Sequence, residues 1–413
     1  MTDTITDRIA ALDIVRGVAV MGILAMNIAG FALIFPAYFN PLATGEATAV
    51  DRGVYLFNYV LFDGKMRGLF SLLFGASMLL VIERARAKGE SPARVHFARM
   101  VALFGFGLLH LWLVWWGDIL AHYAIVGMIA YLAVHQPARI QFKLAAALIA
   151  AHTLFAIGLP LQIVMLQAEL PAPDAAAALR GYANSFGIPD AARSARETMI
   201  YRGDYAGIFA DRFARFGWAP IRDLRYLGME TLGLMLIGMG LLKTGLLRGE
   251  WPVARMRRWA AIGIAIGLGI YLPLGWWMAS TEFSLLSVVT ATLVAPVPLR
   301  PLVIIGIACL ILIVARPGGG LTARVAATGR MAFTNYLMTS LICTATFYGY
   351  GLGLFGQLSR LALWGVVLAV WAGMLLWSKP WLERFAYGPF EWLWRSIARG
   401  SIQPMRRLAR SHS

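Results

Sequence analysis

The chain has 413 residues, of which 59% are hydrophobic and 14% charged, and its formal net charge is +16. With a mean hydropathy of +0.68, this composition excludes an ordinary soluble domain and a disordered chain and points to a polytopic membrane protein. The positive charge lies in short segments between apolar runs. It fits basic cytoplasmic loops and gives no reason to expect a nucleic-acid partner.

The N-terminal apolar run is too long for the core of a signal peptide, and no small-residue cleavage site follows it. It is predicted to be the first span, residues 13–35. Its opening, Arg8-x-x-x-x-Asp13-x-x-Arg16-Gly17, leads to a single deep amide, Asn27. At about 100° per residue, Asp13, Arg16, Val20 and Asn27 share one stripe of that helix. The second span starts near Tyr55, carries Asp63, Lys65 and Arg67 early, and ends at Glu83. The following loop holds Arg84, Arg86, Lys88, Arg94 and Arg99. It is the most basic short loop, so it is placed in the cytoplasm together with the N-terminus.

The third and fourth spans, residues 95–116 and 118–135, meet in a tight turn at Gly117, and the fifth covers 142–168. Residues 169–223 are polar with nearly balanced charge and are expected as a long extracytoplasmic loop. The sixth span covers 224–247, and the seventh opens with Arg255, Arg257 and Arg258 and ends near 279. Prolines in APVPLRP break the next stretch, so 283–298 is expected as an interfacial or re-entrant piece. Spans at 299–315, 330–349 and 359–378 follow, then a basic, aromatic cytoplasmic tail, 379–413. The expected fold class is all-α: one integral membrane domain, 1–413, a helical bundle of about ten spans with both termini cytoplasmic. Cys309 and Cys343 lie in apolar stretches, so neither a disulfide framework nor a metal site is expected.

Ionisable groups inside a bilayer are costly and are functional candidates by default. Depth counting at about 1.5 Å per residue groups them into two layers. The outer one holds Asn27, His110, Asp118 and Glu230, with His110 roughly 9 Å below the outer end of its span. The inner one holds Asp13, Arg16, Arg330 and Asn335. His110 is the candidate general base, because imidazole titrates near working pH; Asp118 and Asn27 are its orienting partners. Asp13, Arg16, Glu230, Arg330 and Asn335 are candidate substrate-binding groups. Plainer readings stand beside these: a histidine satisfied in the core, an ion pair at a helix start, an amide joining helices, and Lys65 and Arg67 snorkelling to headgroups.

Four stretches resemble the YeiB-like family of bacterial inner-membrane proteins (domain of unknown function 418). They are RIAALDIVRGVAVMGILAMNIAGF, GLLHLWLVWWGDILAHYAIVG, GRMAFTNYLMTSLICTATFYG and YGPFEWLWR. The first is also similar to the opening of transmembrane acyltransferases, both the acyltransferase-3 type and the heparan-glucosaminide acetyltransferase type. Arg8, Asp13, Arg16 and Gly17 match that opening, and Asn27 resembles the asparagine of the heparan-type enzymes. Those enzymes also carry a histidine after this helix, whereas residues 36–54 here contain none, which leaves His110 as the substitute base. The resemblance implies a bacterial inner-membrane enzyme whose donor is acyl-CoA (acetyl-CoA) in the cytoplasm. Its acceptor would be an extracytoplasmic glycan or lipid, and its surroundings membrane lipids. Alternatives are a small-molecule transporter or permease, or a non-catalytic envelope scaffold. The sequence leaves open whether the chain works as a homodimer.

Overall fold

In the computed structural model the described residues are 3–45, 47–316 and 318–406, with side chains described from residue 10 onward. The Arg8 side chain, Arg407 and Arg410 lie outside them. In chain order the helices are α1 (Asp3–Ala32), α2 (Ala49–Leu61), α3 (Lys65–Ala87), α4 (Pro92–Leu113), α5 (Leu120–Ala130) and α6 (Ala138–Ala168). Then come α7 (Pro173–Phe186), α8 (Ala191–Tyr201), α9 (Tyr205–Phe216), α10 (Ala219–Arg222), α11 (Leu224–Lys243) and α12 (Val253–Ser280). The last are α13 (Leu285–Val289), α14 (Arg300–Val314), α15 (Gly320–Arg330), α16 (Ala332–Phe347), α17 (Arg360–Arg384) and α18 (Pro389–Arg399). The architecture is all-helical, as expected.

Among the described residues seven stretches are long and apolar enough to cross a membrane: Ala10–Ala32, Ala49–Ala87, Pro92–Leu113, Ala138–Ala168, Leu224–Lys243, Val253–Ser280 and Arg360–Arg384. The predicted fourth, eighth and ninth spans correspond to shorter helices, α5, α14 and α16. At 15 residues, α14 reaches about 22 Å, less than the roughly 30 Å hydrocarbon core. Residues 285–294 form α13 and one π turn, ten residues too short to cross. Burial separates centre from rim: 67% of the apolar window of α11 is buried, against 17% in α6, which turns Leu154, Phe155 and Leu161 outward.

Helices cross closely where glycine removes the side chain, the usual device where lipid offers no hydrophobic gain. A Cβ on Gly75 or Gly238 would meet the backbone carbonyl of Met235 or Leu72, so α3 and α11 touch backbone to backbone. Gly263 and Gly306 do the same for α12 and α14, and Gly17 and Gly329 for α1 and α15. The long stretch 49–87 breaks at Gly64, where φ is +64° and a Cβ would lie 2.5 Å from the Arg300 guanidinium. Only glycine fits both demands. The break starts α3 at Lys65 and carries Asp63, Lys65 and Arg67 to the interior.

Both ends of the bundle are covered. Helices α8 and α9 pack over one end: Arg212 donates to the carbonyls of Trp112 (2.9 Å) and Val114 (2.7 Å), capping α4 with a cation. Arg202 holds the carbonyl of Phe355 at 2.8 Å. At the other end α17 runs six residues beyond the predicted span end, to Arg384, and α18 folds back on the bundle. Its Glu391 accepts from the N–H groups of Phe333 (2.8 Å) and Thr334 (3.0 Å), filling the open donors at the start of α16. The Trp394 indole donates to the Arg99 carbonyl at 2.9 Å. These contacts give the YGPFEWLWR stretch a packing role.

Candidate functional site

His110 lies in the last turn of α4, and its carbonyl accepts from the N–H groups of Val114 and Trp115, both at 2.9 Å. The chain then reverses through Trp115, Trp116 and Gly117. Asp118 Oδ1 accepts from Ala121 N–H at 2.9 Å and starts α5. Its other oxygen, Oδ2, lies 2.8 Å from His110 Nδ1. The two side chains are 2% and 1% exposed. With Nδ1 turned to the carboxylate, His110 Nε2 is buried and has no hydrogen-bond partner among the described residues. This carboxylate–imidazole pair fixes the ring and leaves one nitrogen for proton transfer.

Tyr336 of α16 stands beside the pair, its ring centre 5.2 Å from the imidazole. The same tyrosine lines a narrow cavity together with Asn27, Phe31, Trp115, Thr339 and Ser340. Asn27 makes no hydrogen bond among the described residues, while Thr339 and Ser340 donate to carbonyls of their own helix. The structure therefore brings together three of the four outer-layer candidates: His110 and Asp118 directly, Asn27 through Tyr336. The predicted depth needs correction. The helix ends at Leu113, three residues past His110, so the histidine sits nearer the end than a span to 116 implies.

Glu230 belongs elsewhere. It accepts from Arg67 Nη2 at 2.6 Å and from Arg300 Nη1 at 2.5 Å, and it is 2% exposed. Lys65, 2% exposed, donates to the carbonyls of Tyr59 and Asp63 and lies 3.1 Å from the centre of the Tyr271 ring. Neither Lys65 nor Arg67 snorkels outward. Arg300 and this whole ionic cluster were missed in the sequence; an arginine between Pro298 and Pro301 inside an apolar run was the available signal. His122, also in an apolar helix, pairs with the Thr231 hydroxyl at 3.0 Å.

Of the inner layer, Asp13 and Arg16 pair at 2.8 Å, and Arg16 also donates to Ser77 Oγ at 2.8 Å and to the Gly329 carbonyl at 3.4 Å. Arg330 is exposed and lies within electrostatic reach of Asp13. Asn335 is a packing amide: it donates to the Thr328 carbonyl and Ser378, and accepts from the Trp377 indole. Among the described residues no cluster of three His, Cys, Asp or Glu side chains could hold a metal.

A helical membrane bundle with a buried carboxylate–histidine pair at one end and a buried ionic cluster beside the break at Gly64 is the class that these observations define. Residues 241–401 match the family model described as "Protein of unknown function (DUF418)". The chain is 32% identical to "Uncharacterized protein YeiB" of Escherichia coli (strain K12), over 96% of this chain and 98% of that protein. It is 28% identical to "Uncharacterized protein YxaH" of Bacillus subtilis (strain 168), over 97% and 96%. The chain belongs to the YeiB-like DUF418 family. No solved structure matches it. The matched family region begins after α4 and α5, so the His110–Asp118 pair lies outside it, although the relatives extend across it.

Proposed function

We propose that the protein is an acyltransferase of the bacterial inner membrane. It would move a short acyl group, most simply acetyl, from cytoplasmic acyl-CoA to a hydroxyl or amine of an extracytoplasmic glycan or lipid. The observation that carries this reading is the buried His110–Asp118 pair with its unpartnered Nε2. The positive-inside rule places the end bearing Arg84, Arg86, Lys88, Arg255 and Arg257 in the cytoplasm. The exposed Arg330 on that side is a candidate contact for the phosphates of CoA.

In this scheme His110 Nε2 takes the proton of the acceptor as its oxygen or nitrogen attacks the thioester carbonyl. The new C–O or C–N bond forms, the C–S bond breaks, and the imidazolium returns the proton to the departing thiolate. Asp118 holds the ring and stabilises its cationic form. Asn27 and Tyr336, which share the cavity, are placed to orient the acyl carbonyl. The cavity is narrow, which suits a short acyl group better than a long chain. Purified protein with labelled acetyl-CoA and envelope fractions tests this: label transfer and CoA release should occur, and His110→Ala should abolish both. Absence of CoA binding and release in the wild type would sink it.

One observation favours a transporter as second reading. The interrupted α13–α14 segment lies beside buried charges, an arrangement that transporters use at substrate sites. Arg300 at the start of α14 donates to Glu230 and, at 3.4 Å, to the Thr292 carbonyl. Solute flux into proteoliposomes without any acyl donor would support that reading over the first.

A further inference from the structure

On a different face of α1 lies a second, small cavity that the proposed reaction does not use. Tyr38, Tyr55, Asn58, Tyr59, Asp63 and Arg360 line it. Two acceptors on this wall are left open: Asp63 Oδ2 and Asn58 Oδ1 are buried and have no partner among the described residues. The Asn58 amide is fixed by its NH₂ group, which donates to the Ala25 carbonyl at 3.2 Å. The hydroxyls of Tyr55 and Tyr59 already donate to the carbonyls of Phe39 and Ala291. Arg360 donates from Nη2 to the Ala37 carbonyl at 2.6 Å, and its guanidinium lies 5.5 Å from the Tyr55 ring. Among the described residues no ion pair joins Asp63 to Arg360, although both face one space.

These facts constrain an occupant. It must donate hydrogen bonds to Asp63 and Asn58, because buried acceptors without partners are costly. It must not be a bare cation: the main charges acting on Asp63 are those of Arg300, Lys65 and Arg67 against that of Glu230. Three cations against two carboxylates already leave positive excess. It should bring an anion to the Arg360 guanidinium, because Asp51, the carboxylate within its electrostatic reach, lies outside the cavity lining and accepts from the Arg360 backbone N–H at 2.8 Å. The ring faces of Tyr38, Tyr55 and Tyr59 suit an ammonium whose charge is balanced within the same molecule.

We infer that this cavity binds a small zwitterion, its ammonium group held by Asp63 and Asn58 among the tyrosine rings and its carboxylate or phosphate held by Arg360. The site does not depend on the acyltransfer reading. The ligand chemistry has two sources, a free amino-acid-like molecule and the headgroup of an aminophospholipid.

The experiment is thermal unfolding of the purified full-length protein. In detergent the probes are glycine, β-alanine and phosphoethanolamine, with ethylammonium chloride and sodium acetate as single-charge comparisons. In nanodiscs, phosphatidylethanolamine is compared with phosphatidylcholine, whose headgroup has no N–H to donate. A free ligand raises the midpoint in detergent. A headgroup raises it only in phosphatidylethanolamine discs. In either case Asp63→Asn, nearly isosteric, should weaken the effect about ten-fold or more, the scale of one charge-assisted hydrogen bond. Arg360→Lys should do the same; because Arg360 also holds the Ala37 carbonyl, Asp63→Asn carries the test if that variant does not fold. The inference fails if no zwitterion and no lipid shifts the midpoint. It fails equally if ethylammonium or acetate alone matches the zwitterions, or if Asp63→Asn keeps the full shift.

Discussion

His110 Nδ1 lies 2.8 Å from Asp118 Oδ2, eight residues along the chain and across the reversal that joins α4 to α5. Both ends of the reversal are tied down. The His110 carbonyl closes α4, and Asp118 Oδ1 opens α5 by holding Ala121 N–H. The pair is thus built into a turn that two helices and the stacked Phe31 and Trp115 rings hold rigid.

If this pair moves a proton, Asp118→Asn should keep the turn and lose the chemistry. Acyl transfer in a single turnover should fall about 10²–10⁴-fold, the usual weight of a positioned acid–base group. The unfolding midpoint should change little, because the asparagine can still accept from Ala121 N–H. Equal rates for variant and wild type would remove the pair from the mechanism.

Glu230 is held by two arginines from different segments, Arg67 and Arg300. Glu230→Gln leaves two buried guanidinium groups without their shared counter-charge. The expected loss is about 3–5 kcal/mol, the range for breaking a buried ion pair from one side. Folded yield and thermal midpoint in detergent report it. The double variant Glu230→Met with Arg300→Met should lose less than the sum of the two single changes, since neither partner is then stranded.

At Gly329 an added Cβ would lie 1.9 Å from the Asp13 carbonyl and 2.6 Å from Gly17 N, so α15 cannot hold its distance from α1. Gly329→Ala should cost about 1–3 kcal/mol, as overpacking does. Gly365→Ala on α17 is the comparison: nothing lies within 4 Å of its Cβ position. There the change should be neutral or stabilising by up to about 1 kcal/mol. Similar midpoints for the two variants would contradict the close crossing.

Glu197 lies in the segment between α6 and α11, buried, with Phe35 N–H at 2.7 Å and Arg215 at 3.5 Å. Burial raises its carboxyl above the ordinary range, against the opposing pull of Arg215. The folded protein therefore holds this proton more tightly than the unfolded chain does. Stability gained from it grows as pH falls from the raised folded value to the unfolded value near 4.3, and is flat below. Unfolding midpoints of wild type, measured relative to Glu197→Gln, should rise between neutral pH and about pH 4.5. A difference independent of pH would show that burial does not govern this carboxyl.

Hydropathy alone made the seven long apolar stretches readable, and the prolines of APVPLRP marked the short segment that follows α12. What it could not distinguish was a spanning turn from a buried apolar loop. Trp115 and Trp116 were counted into the third span, yet they leave the helix and pack on Phe31 and Phe216. The pairing of His110 with Asp118 was within reach because both sit beside one tight turn. The Glu230 cluster was not, because depth along a helix says nothing about which way a side chain faces. Lys65 and Arg67, near the start of a helix, looked placed for headgroups, but the break at Gly64 turns them inward. Asn335 shows the converse: an amide in an apolar helix looked like a ligand group, and its partners proved to be Thr328, Trp377 and Ser378.

The first helix meets a neighbour backbone to backbone over one part of its length and borders two small cavities over another. At Asp13 to Gly17 its backbone meets α15 with no room for a methyl group. From Val20 to Phe31 the two cavities border it on different faces, one at Asn27 and the other at Met26 and Ala29. Mechanically this is a lever with a fixed fulcrum and two chambers along one arm. One helix therefore forms a wall of both spaces, so a change of its position alters the two together.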